Sequence, residues 1–392
     1  MLEINLIDYI DPIDSKKVMG KESLHINQWG NQIAFFDDKM ENWEQYDIAL
    51  FDIPDPRLDF SKKRKPYDFT SIRRELYKLY NWHETLKVVD LGSIKKGKTV
   101  GDTLTAVEDL ITGLLQNQVI PIFLCPSQEA TYAQLKAYEP FGRKITAANF
   151  DERIDLHLDP DQQEEPSYIF KMLAHQPHLL ESYYQLAFQN FLVNPTYVKM
   201  LEQKHSECYR LGYFLEDISR LEPFLRATDM VSLDLSVVKY ADAPGQPFSS
   251  PNGMTSYDVC VLARYAGISD QLSSFGVYNF SPEIEEDSLT AQLIAQIIWH
   301  FVDGFYGRKY EKPKESDEEN YIQYKVAMNN YWEEITFLKS TRSERWWMKV
   351  PIVDGKEEIK FKILPCLEEE YQLACKREIP ERWMSAFLKY ST

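Results

Sequence analysis

Short apolar runs, each closed by a polar or Gly/Pro-containing turn and followed by a helical pattern, limit what this chain can fold into more than any other feature. They lie at residues 48–51, 86–89, 119–124, 145–150, 230–235 and 275–278. Runs of Val, Ile, Leu and Phe without polar alternation suit strands buried on both faces, and strands alternating with helices pair in parallel because each helix crosses back over the sheet. The expected fold is therefore a three-layer α/β/α domain with a mostly parallel sheet. Helical spacing of apolar residues predicts helices over 103–116 and 288–302. In such a sheet ligands sit beyond the carboxyl ends of the strands, which makes the residues just past each run the first candidates for a site.

Composition narrows the function classes. The chain has 392 residues, of which 44% are apolar and 14% aromatic, enough for a large core. A formal charge of -17 argues against a nucleic-acid partner, since counterion release needs many cationic side chains. The basic run Lys62, Lys63, Arg64, Lys65 is short, lies among acidic neighbours and reads as a solvated loop. No apolar stretch approaches the roughly 20 residues of a membrane span, and Asp8, Asp11 and Asp14 stand where a signal peptide would need its apolar segment, so a cytoplasmic location is expected. Cys125, Cys208, Cys260, Cys366 and Cys375 are scattered without a C-x-x-C pair and suit free thiols rather than a disulfide framework or a zinc site.

A composition shift after Tyr306 divides the chain into a domain over 1–306 and an extension over 307–392. The segment 307–320 is charged, carries Pro313 and reads as a linker. The extension is expected to hold a helix near 321–338, a hairpin of 346–353 and 357–364 turned by Asp354-Gly355, and a helical pattern over 368–390. Trp332, Trp346, Trp347 and Trp383 make it rich in a residue favoured at buried contacts. They either pack the extension against the domain or dock a protein partner.

The strand ends carry the chemistry. One reads Leu124-Cys125-Pro126-Ser127-Gln128, the next Asn149-Phe150-Asp151-Glu152-Arg153-Ile154-Asp155, the third Ser232-Leu233-Asp234-Leu235-Ser236, and the last Gly276-Val277-Tyr278-Asn279-Phe280-Ser281-Pro282. In this order and spacing they resemble the ureohydrolase superfamily of arginases, agmatinases and formimidoylglutamases, whose strands end in Gly-Gly-Asp-His, Asp-Ala-His-x-Asp, Ser-x-Asp-x-Asp and Glu-x-Asn-Pro. The resemblance spans roughly 45–305, with support from Val88-Val89-Asp90-Leu91-Gly92 and from Ala243-Pro244-Gly245 leading to Gly253-Met254-Thr255.

That resemblance implies a dimanganese centre held by aspartates and histidines, which activates a bridging hydroxide against a guanidino or imino carbon. Position by position, Asp151, Asp155 and Asp234 fall on ligand positions and keep their carboxylates. Gln128 stands for the first histidine, Arg153 for the second, Ser236 for the fourth aspartate, and Asn279 for the glutamate that would hold a substrate guanidinium. Guanidinium has only donors and cannot bind a cation. The expectation is that the Arg153 guanidinium occupies the place of one metal and pairs with Asp151 or Asp234. Gln128, Asp151, Asp155 and Asp234 remain as oxygen donors that could keep a single ion. His157, two residues beyond Asp155, could face the same site, whereas the other histidines show no H-x-x-x-H or H-E-x-x-H spacing.

Two functional readings follow from the resemblance. In the first, the fold has lost its dimanganese chemistry, needs no cofactor, and serves as a scaffold or binding component with a protein partner or further copies of itself. In the second, the chain is a divergent metal-dependent C–N hydrolase of the formimidoylglutamase, agmatinase or arginase type, with Mn²⁺ as cofactor. A pocket that senses small guanidino or amino-acid ligands without turnover is a third possibility.

Overall fold

The computed structural model describes residues 4–20, 23–58, 67–83, 86–156, 167–248, 250–285, 287–313, 318–328, 332–352 and 360–391. The strands run β1 Ile48–Asp52, β2 Val88–Ile94, β3 Ile120–Cys125, β4 Ile145–Phe150, β5 Leu180–Phe188, β6 Glu207–Arg210, β7 Met230–Asp234 and β8 Ser274–Tyr278. They form one sheet in the order β2-β1-β3-β8-β7-β4-β5-β6. Each of these neighbours pairs in parallel. The two-residue strand Ile10–Asp11 closes the β2 rim antiparallel, and Ala34–Phe35 also pairs with β2.

The apolar runs become strands because both of their faces are used. Ile48 and Leu50 of β1, with Ile120, Ile122 and Leu124 of β3, enter one core, while Ala49, Phe51, Phe123 and Cys125 enter the other. That alternation is the period-2 geometry of a strand with helices on either side. Helices α1 Thr70–Lys78, α3 Ser256–Ile268 and α4 Leu289–Tyr306 cover the first face, and α2 Val100–Gln116 covers the second. Capping boxes start two of them: Thr99 with Asp102 begins α2, and Thr255 with Asp258 begins α3. Helices α3 and α4 meet backbone to backbone, since a Cβ on Gly267 would lie 1.9 Å from Phe301 O and one on Gly304 2.2 Å from Arg264 O.

The extension differs from its sequence reading. The expected helix near 321–338 is instead two antiparallel strands, β9 Tyr321–Ala327 and β10 Glu334–Ser340, which continue into β11 Trp346–Ile352 and β12 Lys360–Cys366 as a second, four-stranded sheet. Ile335 and Phe337 point inward two residues apart, so β-branched and aromatic residues here follow the strand period, not the helical one. The hairpin strands stand as expected, while its Asp354-Gly355 turn and the basic run Lys62 to Lys65 lie outside the described residues. The last helical pattern is split into α5 Glu368–Cys375 and α6 Glu381–Tyr390, with Pro380 as the cap of α6.

Trp346, Trp347 and Trp383 are all buried. The seam with the larger domain is polar and specific. Arg226 donates to the carbonyls of Trp346 at 3.0 Å and Cys366 at 3.1 Å and lies 4.4 Å above the Trp347 ring. Arg382 lies 4.4 Å above the Phe224 ring, and Lys389 donates to Glu181 O and Ser182 Oγ, both at 2.5 Å. No described helix is long and apolar enough to cross a membrane, and the five cysteines are free.

Candidate active site

Because β3, β8, β7 and β4 are consecutive and parallel, their carboxyl ends open on one rim, where the sequence had placed its candidates. Asp151 follows β4, and its Oδ1 accepts from Arg153 N at 2.9 Å and from Ser236 Oγ at 3.0 Å. Asp234 ends β7; its Oδ1 accepts from Ser236 N at 2.8 Å and its Oδ2 from Asn279 Nδ2 at 2.5 Å. Asn279 makes that contact just past β8 in a left-handed conformation, φ 64°, that few residues besides Gly, Asn and Asp adopt.

Gln128, three residues past β3, is 3% exposed. Its Nε2 donates to Asn149 Oδ1 at 2.7 Å and Ser232 Oγ at 3.1 Å, and its Oε1 accepts from Tyr168 Oη at 2.8 Å. The same end of the amide faces Asp234 Oδ2 at 3.1 Å and Asp151 Oδ2 at 3.3 Å. Three oxygens so close repel one another unless positive charge lies between them. The cluster thus has two self-consistent forms. In one, the amide oxygen and both carboxylates face a cation; in the other, the amide is turned over and its N–H donates to the carboxylates.

Electrostatics report the same crowding. Burial, then the charges of Asp155 and Asp234, hold the Asp151 carboxyl well above the usual carboxylate range. Burial outweighs the hydrogen bonds from Ser236 and, with the charge of Asp155, pushes Asp234 up to about 7.

Gln128, Asp151, Asp234, Ser236 and Asn279 are therefore brought together, with Asp155 in electrostatic contact. Arg153 is not. Its Nε donates to Glu152 Oε1 at 3.2 Å, its guanidinium lies 5.6 Å from the Phe248 ring centroid, and its side chain is 40% exposed. The expected pairing with Asp151 or Asp234 is corrected: at the rim a guanidinium keeps part of its hydration and still gains a carboxylate and an aromatic face, whereas inside the cluster it would be fully desolvated. His157 lies outside the described residues.

Sequence reasoning missed Glu152, which is 1% exposed and joins Arg153 to Gln189, and the polar layer beneath the cluster. In that layer Asn149 Nδ2 reaches Tyr168 at 3.1 Å and Gln185 at 3.0 Å, and Thr131 meets Ser232 at 3.1 Å. Polar residues inside mostly apolar buried strands, such as Asn149 and Ser232, were the available signal.

A profile of the arginase family matches residues 68–303. The chain belongs to the arginase family. A formimidoylglutamase of Halalkalibacterium halodurans is 24% identical over 234 residues, 56% of this chain and 72% of that protein. One of Staphylococcus haemolyticus is 23% identical over 248 residues, 59% of this chain and 76% of that protein. Among solved structures, formimidoylglutamase from Bacillus subtilis superposes with a TM-score of 0.64 at 16% identity, covering 74% of this chain and 96% of its own. Formiminoglutamase from Trypanosoma cruzi, crystallised with Mn²⁺, gives 0.61 at 16% identity, covering 69% of this chain and 97% of its own. These structures share the arginase-family fold with the present chain.

A two-metal complement does not fit this arginase-family site. Arg153 is turned away, and Ser236 and Asn279 are neutral and donate to the two buried aspartates. A single hard cation does fit the donor chemistry. Gln128, Asp151 and Asp234 present oxygens 3.1 and 3.3 Å apart, the spacing of neighbouring ligands around an ion with bonds of about 2.0–2.2 Å.

Proposed function

We propose that this chain is a divergent hydrolase of linear carbon–nitrogen bonds, of the formimidoylglutamase type, using one Mn²⁺ or similar divalent ion held by Gln128, Asp151 and Asp234 with Asp155 beside them. The observation that carries this reading is the convergence of the Gln128 amide on both carboxylates. The names of the curated relatives and the manganese bound by the Trypanosoma cruzi protein support it. A hard divalent ion there would supply an activated water near neutral pH. The chain's own residues hold the frame: Ser236 and the Arg153 amide fix Asp151, Asn279 fixes Asp234, and Tyr168 fixes the amide end of Gln128.

Calorimetry with Mn²⁺ and turnover of formiminoglutamate, arginine and agmatine test the reading. It expects one ion per chain and hydrolysis of at least one of these substrates. Failure of both would overturn it.

One observation favours a second reading, a fold without catalysis that serves as a scaffold. With the Gln128 amide turned over, its N–H reaches Asp151 Oδ2 and Asp234 Oδ2 while Ser236, Asn279 and the Arg153 amide supply the other oxygens. Every carboxylate oxygen of the pair then has a protein donor and no cation is needed. Absence of metal binding together with unchanged stability on chelation is what that reading expects.

A further inference from the structure

Away from the strand-end cluster, the last helix α6 and the ends of β5 and β6 line an open cavity of about 260 Å³. The larger domain contributes Glu202, Ser206, Glu207 and Tyr209 to its wall, and α6 contributes Glu381, Ser385 and Lys389. Carboxylates outnumber ammonium groups here, and the ammonium of Lys389 is already engaged by Glu181 O and Ser182 Oγ. Glu207 is the unsatisfied member. Its Oε2 is buried and has no hydrogen-bond partner among the described residues. Arg382, the cation whose charge acts on it most, gives Nη1 to Pro365 O and Glu370, and its Nε likewise has no hydrogen-bond partner among the described residues. A buried carboxylate oxygen without a donor is an arrangement folded proteins avoid unless something supplies the donor.

We propose that this seam is a binding site for a small aliphatic ammonium ligand. Its N–H groups donate to Glu207, and its methylene chain lies along Leu364, Ala386 and Leu388, which line the same cavity. The volume falls below the 300–1,000 Å³ or so of pockets that take drug-sized molecules, so the ligand is a short amine or diamine. Glu202 and Glu381 at the wall suit a second ammonium. None of the lining residues belongs to the strand-end cluster, so the site stands apart from the C–N hydrolase reading. Because the wall comes from both units, an occupant ties the extension to the larger domain.

The test uses the full chain with n-butylamine and 1,5-diaminopentane as probes and n-butanol as the neutral control, read by thermal shift and calorimetry. Saturable amine binding with a raised melting temperature is expected, with none for n-butanol. Glu207→Gln should weaken binding at least tenfold, and Ser385→Arg, which fills the cavity with its own cation, should abolish it. Circular dichroism checks that both variants fold. Asp234→Asn should bind the amines as the wild type does. Absence of saturable binding to the wild type, equal binding of the alcohol, or binding that survives both cavity substitutions would overturn the proposal.

Discussion

Gln128, Ser236 and Asn279 act together on two buried carboxylates, and Arg153 stands apart from them. The difference is one of desolvation: amides and hydroxyls can be buried among carboxylates as donors at modest cost, but a guanidinium must find enough partners to replace its water. A neutral imidazole can ligate a metal where guanidinium cannot, and at position 128 it would add a basic nitrogen donor in place of a neutral amide. The double substitution Gln128→His, Arg153→His should therefore raise Mn²⁺ affinity by about tenfold or more, the scale on which single ligand-environment changes act. Arg153→Ala alone should leave that affinity unchanged, because its guanidinium is held at the rim by Glu152 and Phe248. Calorimetry on the pair decides both, and a large effect of Arg153→Ala would mean that the guanidinium enters the cluster in solution.

Among the secondary-structure elements, β5 carries more than pairing. Burial would raise the Glu181 carboxyl, but the hydrogen bond and charge of Lys362 on β12, with Tyr390 and Lys389 of α6, outweigh it and hold it below its ordinary value. A depressed carboxyl contributes stability above its unfolded pKa and loses it as pH falls through the lower folded one. Glu181→Gln should thus cost about 1 kcal/mol at pH 7, after allowing for screening of a side chain 31% exposed, and nothing near pH 2, as urea unfolding at both values would show. On the opposite face, Gly267→Ala should destabilise by about 1–3 kcal/mol, since the added methyl meets Phe301 O where α3 and α4 touch. The same elements show what the sequence could reveal. Strands β1, β3, β4, β7 and β8 were legible because they are buried on both faces and mostly apolar. Strand β5 was not, because Glu181, Ser182 and Gln185 interrupt its apolar pattern to serve the seam and the polar layer. At the site the positions were legible from spacing along the strand ends, but the direction of Arg153 was not, since the rim that attracts it includes Phe248, which is distant in sequence.

At the scale of the molecule, the extension and the larger domain are joined through a few buried cations. Arg226 satisfies two carbonyls of the extension, so Arg226→Met would leave Trp346 O and Cys366 O without that donor. A loss of about 2–6 kcal/mol is expected in urea unfolding, from two buried acceptors each worth about 1–3 kcal/mol. A loss below about 0.5 kcal/mol would mean that the seam does not depend on that arginine. The placement of α6 has a consequence for self-association. An exposed sheet margin invites a foreign strand to add to it, which is a common start of aggregation. Here α6 stands beside the β6 margin, and among the described residues the opposite margin carries only the two-residue strands Ile10–Asp11 and Ala34–Phe35. The larger sheet therefore leaves a foreign strand little length to pair with, whereas β9 and β12 at the margins of the smaller sheet carry seven residues each.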